Sequence, residues 1–524
     1  MKPLHVDFAI LGAGFAGSLM SMIVRRLGYS VALIDKSSHP RFAIGESSTP
    51  VANFVLRDLA VRYDFPQLLP LCKFGPWQRH YPKLGCGLKR GFTYFQHLPG
   101  QPFRADSSHS NELSVAASLD NERSDTHWLR ADLDAFLADE AQRLDVAYFD
   151  QTELTDVRRD SPWVIEGRRR GQPLRLRAEF VIDATGEGAV LPRLLNIPSA
   201  REELFTQSRA LFSHFHGVQR FERILEQSGG IVSDHPFPCD DAAQHQVLDR
   251  AWIWVLRFQN DLTSVGFAID MEQETDRSSP PDTASIGPTP EQEWQQWLGR
   301  FPGVAELMRD STLAPVPGFF LRSRRLQRKW RQCAGSDFAF LPHTAGFIDP
   351  LHSSGIAHSL CGIERLAAIL DKHWRRSTLT EELSRYQGSL HAEISVIDRL
   401  VHGCYLTTGH FPMFAAYAML YFAAATTYER RRLESGFATE RWFLGADDPR
   451  WCGILAKVHG WLLDWRSRGR PPWSDFPALV AQELEPYNHV GLFDERARNM
   501  YRYTAPPDVE LDGVSKCCSG SPSP

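Results

Sequence analysis

The start of the chain alternates between apolar runs and glycine-rich or polar breaks. The segment HVDFAILGAG is an apolar run that ends in a glycine-rich turn, which predicts a buried parallel strand. SLMSMIVRRLGY has helical spacing and ends at a glycine, and SVALIDKS is a second short apolar run. Together these segments predict a strand–helix–strand (βαβ) unit.

The pattern changes further along the chain. DTHWLRADLDAFLADEAQRLDVAYF predicts an amphipathic helix followed by a strand, and RLRAEFVIDATGEGAV predicts a strand that meets another glycine turn. ALFSHFHGV, AWIWVLRFQ and LTSVGFAID predict an antiparallel sheet. SDFAFLPHTAGFIDPLHSSGIAHSLCGIERLAAILDKHW predicts a strand, a turn and a long helix, and the chain after it has mostly helical spacing.

The most apolar window, FPMFAAYAMLYFAAA (411–425), is shorter than the roughly 20 residues that cross a bilayer, so it predicts a buried helix.

The 58 basic and 63 acidic residues give a net charge of −5, which gives no indication of nucleic acid or anionic membrane as a partner. Nine cysteines without a CxxC pair argue against a metal site or a redox dithiol. With no apparent signal peptide, we expect a cytoplasmic protein that is not an integral membrane protein.

Three glycines after the first strand have the GxGxxG spacing that binds dinucleotides. Gly12 permits a tight turn, Gly14 lets the backbone approach a pyrophosphate, and Gly17 permits close packing of helix and strand. Asp35 ends the second strand, where the ribose hydroxyl needs an acceptor. Further predicted contacts with the dinucleotide are Phe15, Ala16, Lys36, Arg41 and Ile44.

Two later glycine turns indicate that the dinucleotide is FAD. DATGEGA (183–189) and GFIDPLHSSGIAHS (346–359) lie far from the first turn, which suggests a large cofactor threaded between segments. Asp349 is placed to bond a ribityl or pyrophosphate group, and the helix from Ser354, with Gly355 and Ile356, directs its amides at the ring. Arg130 either meets the cofactor or lies on a solvated helix face.

These segments predict an α/β fold built from separate chain regions. An FAD-binding, Rossmann-like module covers 1–200, with inserted segments on the substrate side at about 65–125. A substrate domain with an antiparallel sheet follows over 201–325, and the chain returns to the FAD-binding module over 326–380. A helical region (381–505) and a disordered tail (506–524) complete the predicted order.

SSHPRFAIGESSTP, THWLRADLDAFL, VIDATGEGA and GFIDPLHSSGI together resemble the flavin-dependent halogenases, within the p-hydroxybenzoate-hydroxylase-like flavoproteins. The similarity covers most of residues 5–400 and is greatest to the aminopyrrole and phenol halogenases. It implies that reduced FAD and O2 convert chloride or bromide to hypohalous acid, which travels through an internal passage to a lysine. It also implies that a separate flavin reductase supplies the reduced FAD.

The resemblance implies roles for individual residues. Lys89 matches the lysine of the aminopyrrole and phenol members, with Lys73 as a weaker candidate, and the amides of Ser354 and Gly355 match the halide position. A plain helix cap by Ser353 or Ser354 is the alternative for that turn. Glu46 is expected near the flavin ring, where it would orient the lysine, assist proton transfer or cap a helix.

The chain departs from the family pattern at two places. The WxWxIP signature reads WIWVLRF here, so that Leu256 and Arg257 replace Ile-Pro, which favours an aromatic hydroxylase as the alternative enzyme. His352 replaces the glutamate of tryptophan halogenases, which argues against free tryptophan as the substrate.

The leading prediction is a halogenase of small phenols or pyrroles in secondary-metabolite (antibiotic) biosynthesis. A flavoprotein that binds FAD without catalysis is the third possibility.

Overall fold

The computed structural model of the chain describes residues 3–272, 287–435, 441–502 and 504, so the predicted tail 506–524 lies outside the described residues. In chain order the strands are β1 (Leu4–Leu11), β2 (Val31–Ile34), β3 (Cys86–Lys89), β4 (Gly91–Gln96), β5 (Glu112–Ala116), β6 (Asp125–Trp128), β7 (Ala147–Phe149), β8 (Thr152–Arg158), β9 (Trp163–Arg169), β10 (Gln172–Asp183), β11 (Ser208–His216), β12 (Ala243–Leu248), β13 (Ala251–Arg257), β14 (Thr263–Asp270), β15 (Thr312–Leu313), β16 (Leu321–Arg325), β17 (Arg328–Lys329), β18 (Ala334–Gly335), β19 (Phe338–Phe340), β20 (Gly346–Phe347) and β21 (Met500–Tyr501).

The helices are α1 (Phe15–Arg26), α2 (Pro50–Arg62), α3 (Phe74–His80), α4 (Arg130–Arg143), α5 (Val190–Leu194), α6 (Phe221–Gln227), α7 (Pro290–Arg300), α8 (Pro302–Met308), α9 (Pro342–Ala345), α10 (Ser354–His373), α11 (Leu379–Thr407), α12 (Phe411–Ser435), α13 (Pro449–Ser467) and α14 (Phe476–Leu484). Short 3-10 helices lie at Pro66–Cys72, Gly186–Gly188, Arg201–Glu203, Val232–Asp234, Phe443–Gly445, Glu485–Tyr487 and Glu495–Ala497.

The predicted βαβ unit forms the centre of a sheet with strand order β18-β19-β10-β1-β2-β7. β1 pairs in parallel with β2 and with β10, and β7 and β19 extend the parallel part on either side. The hairpin of β8 and β9 joins this sheet through β10. All residues of β2 are buried, because α1 packs on the sheet and is itself covered by α4 and α10.

A second sheet has the order β15-β11-β14-β13-β12-β4-β5-β21, with β16 also paired to β11. The ladder β11-β14-β13-β12 is antiparallel, as the sequence predicts. The pairs β12–β4 and β5–β21 are parallel, so the sheet is mixed rather than antiparallel throughout. These pairs join distant chain segments, and periodicity within one segment contains no information about such partners.

The C-terminal helices pack on both sheets. α11 lies between α10 and α12, and α12 contacts α2 and α14. The window 411–425 is a buried helical segment, as predicted, and no helix in the described ranges is both long and apolar enough to cross a membrane. The region predicted as helical also contributes the short strand β21. One hydrophobic cluster runs through the first sheet, part of the second sheet and these helices, so the predicted domain limits stay predictions.

The first glycine turn depends on two close backbone approaches. Gly12 has a φ of +97°, and a Cβ at this position would lie 2.6 Å from the carbonyl oxygen of Ala184. A Cβ on Gly17 would overlap the carbonyl oxygen of Gly12. A Cβ on Gly14, by contrast, would come no nearer than 3.6 Å to a protein atom. Protein packing therefore requires glycine at 12 and 17 but not at 14.

We expect Gly17→Ala to lower the free energy of unfolding by about 2–3 kcal/mol, because the added methyl group separates α1 from the turn before it. The matched control is Gly453→Ala, since Gly453 also lies in a helix and a Cβ there meets no atom within 4 Å. This control should be neutral or stabilising by up to about 1 kcal/mol. Urea unfolding followed by circular dichroism measures both, and equal effects would contradict the packing argument.

Candidate active site

Lys89 is a fully buried lysine at the end of β3. β3 pairs with β6, which places Lys89 opposite Asp125. The Lys89 Nζ donates hydrogen bonds to the carbonyl oxygen of Ser48 at 2.6 Å and to the Oγ of Ser47 at 2.9 Å. It also stands 4.0 Å from the ring centroid of Phe92, a cation–π distance. The amine is therefore held by the two serines of the GESS segment (45–48) and by one aromatic ring.

Burial lowers the pKa of Lys89 to about 7, and the nearby Asp125 opposes this shift. Asp125 accepts hydrogen bonds from the Nδ2 of Asn53 at 2.5 Å and from the Nζ of Lys73 at 3.5 Å, and burial raises its own pKa. An amine with this pKa is substantially neutral at neutral pH, and the neutral form carries the lone pair that makes lysine a nucleophile.

Ser47 connects the lysine to the start of α10. Its Oγ accepts from Lys89 and also from the Oγ of Ser353 at 3.0 Å. Ser353 has a φ of +52° and precedes the first residue of α10. Its side chain forms no capping hydrogen bond, so the cap by Ser353 that was the alternative expectation is not observed.

The N-terminus of α10 faces open space. Ser354 and Ile356 are buried, but Gly355 between them is exposed, and a Cβ there would meet no atom within 4 Å. A helix N-terminus presents free amides that favour an anion. The structure thus places the predicted halide-binding amides of Ser354 and Gly355 at an accessible helix end.

The N-terminus of α1 lies among charged side chains on the other side of the site. Gly14 is its N-cap and has no side-chain capping bond, while the amide of Ala13 donates to the Oδ2 of Asp35 at 2.7 Å. The Arg41 Nη2 also contacts this carboxylate oxygen, at 3.3 Å. The buried Nε of Arg41 has no hydrogen-bond partner in the described part of the chain. Such an orphaned donor fits a bound group with acceptor oxygens.

Arg130 is buried, so it does not lie on a solvated helix face. Its guanidinium forms two hydrogen bonds of 2.8 Å with Asp134, whose Oδ1 accepts from the Phe15 amide. Its Nη1 donates to the carbonyl oxygens of Ile44 and Gly45. Through Asp134, Arg130 therefore links the first turn of α1 to the loop at residues 44 and 45, which precedes the two serines that hold Lys89.

The remaining predicted cofactor residues lie around these two helix ends. Ala16 is buried in the first turn of α1, and Lys36 and Ile44 are exposed at the edge of the site. The N-terminus of α10 without a side-chain cap, the room beside Gly14 and the open space at Gly355 fit an elongated anionic cofactor.

The chain is 30% identical to monodechloroaminopyrrolnitrin halogenase PrnC of Pseudomonas fluorescens over 446 residues, which are 83% of this chain and 74% of that enzyme. The chain belongs to the flavin-dependent halogenases. It is also 25% identical to tetracycline 7-halogenase of Kitasatospora aureofaciens over 82% of this chain and 75% of that enzyme. The fold matches halogenase PltM in complex with phloroglucinol and FAD, with a TM-score of 0.82, 21% identity and coverage of 96% and 100% of the two chains. No protein-family model matches the chain.

The carboxylate of Glu46 contacts a histidine in this halogenase. Its Oε1 pairs with the Nε2 of His214 at 2.9 Å, and its backbone oxygen accepts from the amide of Trp128. The Oε2 is buried and has no partner among the described residues. The carboxylate thus bonds a histidine that β11 supplies and that the local sequence does not reveal, and the expected role of Glu46 in orienting the lysine, assisting proton transfer or capping a helix stays a prediction.

Arg257, the unusual residue of WIWVLRF, is engaged away from the lysine. Its Nε donates to the Oδ1 of Asp240 at 2.8 Å, and its other nitrogens donate to the carbonyl oxygens of Val218 and Gln219. Trp252 and Trp254 are buried on one face of β13, with ring centroids 5.9 Å apart. The charge of Arg257 is compensated, so it does not favour the hydroxylase alternative.

The carboxylate of Asp349 is used within the protein. Its Oδ2 accepts from the Ser208 Oγ at 2.6 Å and the Tyr405 Oη at 2.9 Å, and its Oδ1 accepts from the amide of Leu351. Burial raises the pKa of Asp349 to about 6. Protein donors thus use both oxygens of Asp349, and its bond to a cofactor stays a prediction.

His352 is a buried, neutral ring rather than an available base. Burial lowers its pKa to about 3, and its ring stacks on Tyr421 at a centroid distance of 4.4 Å. The Sγ of Cys404 lies 3.7 Å from its Nε2. His352 is therefore a neutral aromatic side chain packed in the turn before α10.

One cluster within the described ranges has the side chains of a metal site. The ligand atoms of His109, Glu112 and His235 lie within 4.8 Å of one another, although the cysteine pattern gave no indication of a metal. The Glu112 Oε2 lies 3.0 Å from the His235 Nε2 and 3.4 Å from the His109 Nδ1. These hydrogen bonds satisfy only part of the cluster, because the buried Glu112 Oε1 and His235 Nδ1 have no partner among the described residues.

Four residues around the lysine escaped sequence reasoning. Ser47, Ser48, Phe92 and Asp125 hold or surround the amine, yet they come from a loop and two strands separated along the chain. The resemblance draws attention to the GESS segment but predicts that Glu46 contacts Lys89, whereas Ser47 and Ser48 make the contact. The hydroxyl of Ser47 was the better guide to the contact with Lys89, since a buried ammonium requires oxygen acceptors.

We expect Asp125→Asn to lower the pKa of Lys89 further, by roughly one pH unit, because the nearby negative charge that favours the ammonium is lost. NMR titration of protein labelled at lysine Cε measures it, with Lys89→Met assigning the resonance. Asp120→Asn is the control, since the half-exposed Asp120 pairs with Arg123 on the surface. An unchanged or raised pKa in Asp125→Asn would show that Asp125 does not act on the amine.

Proposed function

We propose that this halogenase uses FAD, O2 and chloride or bromide to halogenate a small electron-rich aromatic compound of the phenol or pyrrole type. The observation that carries the proposal is Lys89, a fully buried amine whose pKa burial lowers to about 7. Burying a lysine without a carboxylate in direct contact is energetically costly, so a chemical role accounts for it better than a structural one.

The neutral amine of Lys89 is suited to take up an electrophilic halogen. In this step the nitrogen lone pair forms an N–halogen bond with hypohalous acid, and the displaced hydroxide leaves as water with the amine proton. The aromatic ring then attacks the halogen, the N–halogen bond breaks with its electron pair staying on the nitrogen, and the proton lost from the ring restores the neutral amine. The Ser48 carbonyl and the Ser47 hydroxyl fix the position of the amine during both steps.

The Ser47 hydroxyl links Lys89 to Ser353, which precedes the first turn of α10, where we propose that the halide binds. Ser353 bonds to Ser47, and the next two residues, Ser354 and Gly355, present their amides at the open end of the helix. A halide at these amides would be within a short path of the amine. We propose that this path is the passage for hypohalous acid.

We propose that α1 and its surroundings hold the cofactor. The Gly14 amide would bind the pyrophosphate, and Arg41 would bond an acceptor oxygen through its orphaned Nε. Asp35 would accept from the ribose beside the Ala13, Ser37 and Arg41 donors that it already holds. When bound, reduced FAD together with O2 supplies the oxidising power that converts halide to hypohalous acid. The chain has a single GxGxxG segment, which supports delivery of reduced FAD by a separate reductase.

The central test is mass spectrometry of phenols and pyrroles after incubation with the protein, reduced FAD, O2 and chloride or bromide. We expect the mass gain of a halogen with the wild type. Lys89→Met should reduce halogenated product by about 100-fold or more, a typical effect of losing a catalytic side chain, while FAD oxidation continues. Product formation should rise with pH through about 7, because the neutral amine predominates above its pKa.

Lys83→Met is the control for this test, because Lys83 is an exposed lysine just before β3 and should retain full activity. A mass gain of one oxygen without halogen would show a hydroxylase instead. Halogenation that persists at the wild-type rate in Lys89→Met would refute the role of the lysine.

We expect Gly14→Ala to weaken FAD binding by about tenfold or more without changing thermal stability. The added methyl group clears protein atoms by 3.6 Å but occupies the room beside the helix amides. Fluorescence titration of the purified protein with FAD measures the affinity. Gly453→Ala, which lies in α13, should bind FAD normally. Unchanged affinity in Gly14→Ala would place the pyrophosphate elsewhere.

A further inference from the structure

Three side chains from two separate parts of the chain converge at the start of β5. We call them the histidine cluster and define it as His109, Glu112 and His235. Glu112 is the first residue of β5, His109 lies in the turn before it, and His235 follows the 3-10 helix Val232–Asp234. The side chains of His109 and Glu112 are fully buried, and that of His235 is only 3% exposed. Burial of polar side chains is costly, so each of their polar atoms requires a partner.

Hydrogen bonds within the protein leave the histidine cluster unbalanced. Both rings converge on the same carboxylate oxygen, since the Oε2 of Glu112 lies 3.0 Å from the Nε2 of His235 and 3.4 Å from the Nδ1 of His109. The other oxygen, Oε1, is buried without a partner among the described residues. A carboxylate offers both of its oxygens as acceptors, yet only one is used here. Three ligand atoms that face one another in this way are what a bound cation requires.

The outer side of His109 determines which ring nitrogen faces Glu112 without a proton. The Nε2 of His109 lies 3.1 Å from the Oδ2 of Asp234, and Arg498 bonds the same oxygen. When the ring is neutral and its Nε2–H donates to Asp234, the Nδ1 directs a lone pair at the carboxylate of Glu112. Two electron-rich atoms in this position repel each other unless a cation lies between them. That cation is either a second proton on the ring or a metal ion.

The distances favour a metal ion over a second proton. A charged N–H bonded to a carboxylate oxygen is usually about 2.7–2.9 Å from it, and the 3.4 Å between the His109 Nδ1 and the Glu112 Oε2 is longer than that. A tetrahedral zinc ion with bonds of about 2.0–2.1 Å separates its ligand atoms by roughly 3.3 Å. Two imidazoles with one carboxylate suit zinc, whereas calcium and magnesium prefer oxygen ligands alone.

We propose that the histidine cluster binds a zinc ion through His109, Glu112 and His235. Asp234 is a positioning residue, because a carboxylate behind a metal-bound histidine fixes its tautomer and orientation. The Nδ2 of Asn499 donates to the carbonyl oxygen of His109 at 3.0 Å, so the ion would hold the start of β5 close to the strand β21 that pairs with it. The cluster shares no residue with the lysine site, and the proposed role of the ion is structural.

The test is calorimetric titration of the full-length purified protein with Zn²⁺, after a chelator has removed bound metal and has itself been dialysed away. We expect one high-affinity ion per chain and a higher unfolding temperature with zinc, because the ion binds the folded state. Glu112→Gln and His235→Gln should abolish this binding, and Asp234→Asn should weaken the zinc affinity by about 10–100-fold. His80→Gln is the control, since His80 is exposed and should leave the affinity unchanged.

A wild type that takes up no stoichiometric zinc would overturn the proposal in favour of a second proton on His109. Folded Glu112→Gln and His235→Gln proteins that bind zinc as the wild type does would overturn it as well, and circular dichroism of the metal-free proteins shows which variants fold. Co²⁺ provides a readout that needs no variant: we expect the intense visible absorption of a tetrahedral site in the wild type, and its absence would refute the site. These measurements use neither FAD nor halide, so their outcome is independent of the halogenation reaction.

Discussion

The removal of one lysine amine from water is the constraint on which the centre of this molecule depends. The amine of Lys89 is compensated by oxygens of Ser47 and Ser48 and by the ring of Phe92, not by a carboxylate in contact. Each partner must be held rigidly, since a displaced acceptor leaves a buried charge unsatisfied. The pairing of β3 with β6 and the bridge between Ser47 and His127 provide this rigidity.

Around this point the molecule is divided into an anionic-ligand side and an apolar side. The N-termini of α1 and α10 are directed at the first, and the second is built from aromatic side chains of β4 and α12. Lys89 and Phe92 lie between the two sides, because the amine contacts the ring of Phe92 as well as the Ser47 that also bonds Ser353.

Sequence reasoning succeeded where the determinants are local. Gly12 and Gly17 could be predicted because the turn that needs them is encoded within a few residues, and Lys89 could be predicted by resemblance. The His214 partner of Glu46 comes from β11, and the parallel pairing of β4 with β12 joins distant segments, so neither leaves a local pattern.

The late position of β21 has a consequence for biosynthesis. β21 pairs with β5, and Thr504 donates to the carbonyl oxygen of Ala116, so the edge of the second sheet is covered by residues far along the chain. During translation β5 emerges long before its partner, and its edge stays unpaired until Met500 has left the ribosome exit tunnel. Exposed strand edges recruit other chains. The nascent protein therefore exposes an unpaired edge at β5 until synthesis has passed β21.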